Sequence, residues 1–386
     1  MSAARVLFYV QHLLGIGHLT RATRVARAMV DRGMQVLMVT GGNPVAGWPG
    51  PGIPQLVLPP LSVADEGFAG LVDADGRPVD AAYMAGRQAR LLAAFHDFRP
   101  DLVMTEAFPF GRRQVRHELL ALIDAISAIN PRPALVSSIR DILQLRNKPV
   151  RDEETVDLVL GQYDMVLVHG DPAFAPLEES FPYADRIAHK VVYSGLVCPA
   201  RPPPPTERFD VVVSAGGGAV GLGMVRVALQ AARLMPDLAR WCVITGPNLP
   251  QAEFDRFAVD PSANVTLARF RPDFTSLLAG ARISVSQAGY NTVGDILQAG
   301  CRSVLVPFTA QGETEQADRA QRLGRIGRVT VLADRGLTAD AMAGAIRAGL
   351  AGPDPVTVPI RVDGAAQSAE ILHDLILRRR VQTSIT

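Results

Sequence analysis

The sequence predicts an α/β protein made of two doubly wound, Rossmann-like halves facing a cleft. Three observations predict it. Short apolar runs alternate with amphipathic helical stretches along the chain, a strand, a glycine turn and a helix open each half, and a stiff proline-rich stretch, Pro199 to Thr206, lies between the halves. At 386 residues the chain is long enough for two separate cores. Residues 1–200 are read as the first domain, 206–363 as the second, and 364–386 as a closing helix that either packs on the second domain or crosses back to the first.

In the first half, Arg5 to Val10 reads as a strand, Gly15-Ile16-Gly17-His18 as a tight turn, and Leu19 to Arg32 as a helix. Ala22, Val25, Ala26, Met29 and Val30 fall on one face of that helix, and Gly33 ends it. Strands are expected at Gln35 to Thr40, Pro100 to Thr105 and Pro133 to Ser137, with helices around Ala85 to Phe95 and Val115 to Ile129. The second half opens with a strand at Asp210 to Ser214, turns through Ala215 to Ala219, and runs as a helix to about Met235. Further strands follow near Trp241 to Thr245, Val265 to Ala268, Ile283 to Ser286, Ser303 to Val306 and Val329 to Leu332, and the closing helix covers about Ala365 to Arg380. Pro199 to Thr206 can be neither helix nor interior strand, so the domain boundary is set there.

Composition narrows the function. A formal net charge of +1 leaves no global field for nucleic acid, so binding has to come from a local site. No apolar run is long enough to span a bilayer, and Val6 to Val10 runs straight into Gln11 and His12, so it reads as a strand rather than a signal sequence. A cytoplasmic protein is expected. Cys198, Cys242 and Cys301 are scattered and odd in number, against both a disulfide framework and a structural zinc site. The only Asp-x-Asp, Asp73-Ala74-Asp75, sits in a Gly/Pro-flanked loop and reads as a turn, so no metal is expected.

Ser286 to Ala320 holds the densest functional signal. It places two polar loops at the ends of two consecutive buried strands, each loop leading into a helix. In an open parallel sheet, ligands bind beyond the carboxyl ends of the strands, where helix N-termini offer unpaired N–H groups and a positive dipole end. An anion followed by a polyhydroxylated group suits both loops.

The motif Ser286-x-x-Gly289-x-x-Thr292-x-x-Asp295-Ile296, then Ala299-Gly300, then Val306-Pro307-Phe308, resembles the donor region of the GT-B glycosyltransferases. Within them it is most similar to the bacterial peptidoglycan-precursor N-acetylglucosaminyltransferase family, and more loosely to the macrolide glycosyltransferases. Gly15-x-Gly17-His18 and the turn Gly216 to Ala219 extend the resemblance over most of the chain. It implies a metal-independent, inverting transfer of a hexose or N-acetylhexosamine from a nucleoside-diphosphate sugar, most readily UDP-linked, to the hydroxyl of a lipid-linked or small-molecule acceptor. It also implies no cofactor, and is compatible with peripheral contact at the inner membrane face. By the same resemblance, Asp295 binds the ribose hydroxyls and backbone near Phe270 and Arg271 reads the base. Gly217 and Gly218 approach the phosphate or ribose, and Gly289, Asn291 and Thr292 lie against the diphosphate. Glu315 and Gln316 hold sugar hydroxyls. Plainer roles stand beside these: Thr292-x-x-Asp295 is also a capping-box spacing with Thr292 as N-cap, and Glu315 and Gln316 also suit an acidic first turn on a solvated helix.

His18 ends the first glycine turn and is the candidate general base, since an imidazole can take the proton of an acceptor hydroxyl. It can equally orient phosphate or cap the helix. Gly17 beside it, and Glu106 and Asp141 in loops after the next strands, form the acceptor side, where either carboxylate can serve as base or orient His18. Arg140 and Asp141 can also simply pair with each other. Two other classes remain open. Gly216-x-Gly218-x-x-Gly221 matches a dinucleotide fingerprint and so admits an NAD-dependent oxidoreductase, although the strand after it ends without the acidic residue such enzymes use. The same scaffold also admits a nucleotide-sugar-binding or isomerising protein with no acceptor.

Overall fold

The computed structural model describes residues 3–13, 15–63, 70–145, 148–216, 221–246, 249–259 and 264–385. The chain divides into two compact units: residues up to Val197 together with those from Asp363 on, and Cys198–Val362.

The first unit runs β1 (Arg5–Val10), α1 (Gly17–Asp31), β2 (Gln35–Thr40), β3 (Gln55–Val57), β4 (Ser62–Val63), β5 (Leu71–Val72), α2 (Ala81–Phe98), β6 (Leu102–Glu106), α3 (Arg116–Ser127), β7 (Ala134–Arg140), α4 (Pro149–Gln162), β8 (Met165–His169), α5 (Ala184–Ile187) and β9 (Val191–Tyr193). Among the described residues its main sheet has seven parallel strands in the order β3-β2-β1-β6-β7-β8-β9. From β1 the chain builds outward to β3, then returns to lay β6 on the other side of β1. The point of reversal lies between β1 and β6, where a doubly wound sheet opens a crevice at its strand ends.

The second unit runs β10 (Val211–Ser214), α6 (Leu222–Leu234), β11 (Trp241–Ile244), α7 (Gln251–Val259), β12 (Val265–Ala268), α8 (Phe274–Gly280), β13 (Ile283–Ser286), α9 (Tyr290–Ala299), β14 (Ser303–Leu305), α10 (Glu315–Arg325), β15 (Thr330–Val331) and α11 (Ala339–Ala351). Its six described strands are all parallel, in the order β12-β11-β10-β13-β14-β15, and the reversal falls between β10 and β13.

The strands are near-continuous apolar runs because helices cover both faces of each sheet. Val211, Val213, Val243, Ile283, Val285 and Val304 pack with Met224, Val225 and Ala228 of α6 and Met342 and Ile346 of α11. In the first unit Leu7, Tyr9, Val103 and Leu135 pack with Leu91, Phe95, Leu119 and Ile123. The question of where the closing helix goes is answered by α12 (Gly364–Ile385), which packs on α1 and returns the chain to the first unit. Ala369, Leu372 and Ile376 are buried along it, while Arg379 reaches Asp164 at 2.7 Å and Arg380 reaches Asp101 at 2.8 Å. Among the described residues no helix is long and apolar enough to cross a membrane.

Three sequence expectations change. α1 begins at Gly17 rather than Leu19, which puts His18 inside its first turn, and α9 begins at Tyr290 rather than Thr292. Apolar periodicity cannot see a helix start made of glycine and polar residues, so both were read late. β8 and β9 were not anticipated, although Met165 to Val168 is a fully buried apolar run. The Asp73 loop is the expected turn, with Asp73 Oδ1 accepting from the backbone N–H of Asp75 and of Arg77, each at 2.9 Å.

Candidate active site

Two sets of polar residues gather at the two points of strand reversal. In the first unit, β1 leads through a glycine turn into α1, and β6 lies directly beside β1, with Tyr9 opposite Thr105. This brings His18, in the first turn of α1, against Glu106, the last residue of β6. His18 Nδ1 lies 3.0 Å from Glu106 Oε1. Arg21, one turn along α1, pairs with the same carboxylate oxygen, and Ser138 on β7 donates to Glu106 Oε2 at 2.6 Å.

Glu106 is fully buried, yet three donors hold it ionised: its carboxyl sits well below the usual range because the charge of Arg21 and the His18 hydrogen bond outweigh the penalty of burial. An ionised carboxylate only accepts, so the His18 nitrogen facing it carries the proton and Nε2 keeps the lone pair. His18 is itself held below 6.5, first by burial and then by the nearby Arg112 and Arg21, with Glu106 opposing them. It is therefore neutral at physiological pH.

His18, Arg21, Arg112, Arg140 and Asp152 line a cavity of about 100 Å³ together with Phe110, Ile139 and Phe181. The loop that shapes it after β6 is strained at both ends, since Ala107 and Arg112 hold left-handed backbone at φ 66° and 58°. Non-glycine residues adopt that region only where the surrounding structure imposes it, and such strain gathers at functional sites. Arg112 is anchored by its Nε donating to the carbonyl of Gln11 at 2.7 Å. Gly17 opens α1, with no side chain capping the helix. Asp141 is fully buried just beyond β7, where Gly170 leaves it room: a Cβ at Gly170 would come within 2.9 Å of the Asp141 backbone. Glu106, expected in a loop, is the last residue of β6.

Arg21, Arg112 and His169 carry this site and were missed from the sequence. Arg21 lies one helical turn after His18 and reads as an ordinary amphipathic position. His169 closes a buried strand just before Gly170-Asp171, and that strand end was its available signal.

In the second unit the loop after β13 turns into α9 at Gly289, which is the N-cap and supplies no side-chain cap. The capping-box reading of Thr292 is thereby corrected: Thr292 sits within the first turn, and Asp295 in the second, buried. α10 ties this loop to the one after β14. Gln316 Oε1 accepts from the backbone N–H of Ala288 and of Phe308, each at 3.1 Å, and the buried Arg319 donates to the Ala288 carbonyl at 2.9 Å. The solvated-helix reading of Glu315 is also corrected, because Glu315 is buried. Gln316 thus spends its carbonyl oxygen on holding the two loops. Asn291 and Thr292 are half-buried on the first turn of α9.

Phe270 is exposed beyond β12. The side chain of Arg271 is engaged by Glu207 at 3.1 Å and Asp273 at 2.8 Å, which raise its pKa. Gly216, with φ 75°, lies against Gln287, whose Oε1 would be 3.0 Å from a Cβ there. Gly217 and Gly218 lie outside the described residues.

Comparison with known proteins bears on both units. Residues 212–357 match the glycosyltransferase family 28 C-terminal domain. Over 360 residues the chain is 26% identical to the UDP-N-acetylglucosamine–N-acetylmuramyl-(pentapeptide) pyrophosphoryl-undecaprenol N-acetylglucosamine transferase of Phenylobacterium zucineum, covering 87% of each. Among solved structures, the glycotransferase of kitacinnamycin superposes with a TM-score of 0.65 at 15% identity, covering 98% of this chain and 99% of that one. MurG of Acinetobacter baumannii superposes with a TM-score of 0.55 at 16% identity, covering 97% and 99%. The second unit thus matches the glycosyltransferase family 28 C-terminal domain over residues 212–357, and the chain has the GT-B fold.

Proposed function

We propose that the chain transfers a hexose or N-acetylhexosamine from a UDP-linked donor to an acceptor hydroxyl in a single inverting displacement, with His18 as general base and without a metal. The observation that carries this reading is the His18–Glu106 pair: a neutral imidazole, fixed by a buried carboxylate through Nδ1 and lining a cavity. As the acceptor oxygen bonds to the anomeric carbon, its proton passes to His18 Nε2 and the bond from that carbon to the diphosphate breaks. UDP leaves with the electron pair. The N–H groups at the start of α9 and the helix dipole, about half a unit charge, stabilise the departing diphosphate.

In this reading Asp295 takes the ribose hydroxyls, Asn291 and Thr292 face the diphosphate, backbone near Phe270 and Arg271 meets the base, and Glu315 with the amide of Gln316 meets the sugar. The Phenylobacterium zucineum relative is named for UDP-N-acetylglucosamine and a pyrophosphoryl-undecaprenol acceptor, which favours that donor and a lipid-linked acceptor at a membrane face. The test is to incubate the full chain with UDP-N-acetylglucosamine and a panel of lipid-linked and small-molecule hydroxyl acceptors in the presence of EDTA. UDP release with a β-linked product from the α-linked donor is expected. Product with retained configuration, or activity only with added divalent cation, overturns the reading.

A further inference from the structure

The geometry points to a second layer behind the base: Ser138, His169 and Ser194 form a directional hydrogen-bond chain that holds Glu106, and through it His18, in the orientation that presents Nε2 to the cavity. This inference rests on the assignment of His18 as base and names its positioning residues.

The chain can be followed atom by atom. Ser138 Oγ donates its single proton to Glu106 Oε2 at 2.6 Å. Its oxygen is then left to accept, and His169 Nε2 lies 2.9 Å from it. His169 must therefore be protonated on Nε2, which makes Nδ1 an acceptor. Two hydroxyls lie near that nitrogen, Ser194 Oγ at 3.0 Å and Ser368 Oγ at 3.3 Å. The single proton of Ser368 goes to the Gly364 carbonyl at 2.5 Å, which leaves Ser194 as the donor. Every proton then points the same way, from Ser194 through His169 and Ser138 to Glu106. The carboxylate in turn receives His18 Nδ1–H on its other oxygen.

Burial and register make this arrangement stiff. Glu106, Ser138, His169, Ser194 and Ser368 are all fully buried. Glu106 and Ser138 are register partners on β6 and β7, and Ser138 faces Leu167, two residues before His169 on β8. His169 stays neutral, its pKa lowered to about 3 by burial and by the charge of Arg21. A protonated His169 would have to donate from Nδ1 as well, turning the Ser194 hydroxyl away. Ser368 comes from α12, so the closing helix places a hydroxyl beside His169 while its proton serves the Gly364 carbonyl.

The roles of Ser138 and Ser194 can be separated from plain packing by imidazole ¹⁵N spectroscopy on the full chain, which needs no acceptor. In the parent protein His18 is expected as the Nδ1–H form and His169 as the Nε2–H form at pH 7. Ser138→Ala removes one donor from Glu106, so the less satisfied carboxylate attracts the His18 proton more strongly. The His18 titration should then move upward with its proton kept on Nδ1, while Ser138→Thr, which keeps the hydroxyl, restores the parent titration. Ser194→Ala should shift the His169 Nδ1 signal and leave the fold intact. In parallel, UDP release from UDP-N-acetylglucosamine in water should fall roughly tenfold in Ser138→Ala with KM for the donor unchanged, part of the 10²–10⁴ that a positioned base contributes. A His18 found protonated on Nε2, or His18 signals unchanged in Ser138→Ala, overturns the proposal. Full UDP release by His18→Ala would overturn the base assignment instead, and the spectra would still report on the positioning chain.

Discussion

His18 Nδ1 lies 3.0 Å from Glu106 Oε1 across 88 residues of sequence, and the contact exists because β6 is laid beside β1 at the point where the sheet reverses direction. The proposed base, in the first turn of α1, and the carboxylate that ends β6 thus meet beside neighbouring strand ends, as expected for a crevice in a doubly wound sheet.

His18→Ala is expected to lower turnover by about 100-fold or more, the usual contribution of a general base, while leaving donor affinity unchanged. Steady-state UDP release and donor calorimetry on the same preparation check it. Retained turnover with weakened donor binding would make His18 a phosphate ligand.

The pH dependence follows from the lowered pKa of His18. The neutral form is the active one, so protonation abolishes the base. Because burial and Arg112 hold the pKa below 6.5, the rate should stay level from pH 8 down through 6.5 and fall only in more acid solution. An acid limb centred at 6.5 or above, in a plot of kcat/KM against pH, would contradict this.

Stability should show the same groups. In the unfolded chain His169 takes up a proton near pH 6.5, whereas in the folded protein it does so only near 3. Between those values the unfolded state binds more protons, so stability is lost as pH falls from 6.5 toward 3. His12 and His18, also lowered, add to the loss. Urea unfolding at stepped pH measures it, and His169→Gln should flatten part of the slope.

Arg21→Met should destabilise the protein by about 3–5 kcal/mol, because it leaves the fully buried Glu106 carboxylate without its cation. Denaturant unfolding above pH 7 gives the value. A loss below about 1 kcal/mol would mean that Ser138 and His18 alone satisfy Glu106.

In the second unit, Asp295→Asn should weaken UDP binding by about tenfold or more in calorimetry with EDTA present, the effect of losing a charge-assisted hydrogen bond. Gln316→Ala should instead cost about 1–3 kcal/mol of stability, since two backbone N–H groups, those of Ala288 and Phe308, lose their acceptor. If the two variants exchange these effects, their assignments are reversed.

Much of the fold was legible in local pattern. β13, and the motif that follows it, could be read because a short buried strand announces itself as an apolar run and a strand-to-helix turn as glycine. The start of α9 could not, because Gly289 is its N-cap without a side-chain signature. The same limit hid His169: a histidine closing an apolar run has no local pattern distinguishing a buried network member from a loop residue.

By itself, the sequence determined two parallel-sheet halves, the glycine turn that carries His18, the candidates Glu106 and Asp141, and the donor-side motif from Ser286 to Phe308. These are written in periodicity and turn chemistry, which act over a few residues. Only the tertiary structure decided which carboxylate meets His18, that Arg21 neutralises it, and that Ser138, His169 and the returning Ser368 stand behind it. Those contacts depend on strand order and register. They link residues 31 to 199 positions apart, where only packing of the whole domain brings side chains within hydrogen-bond distance.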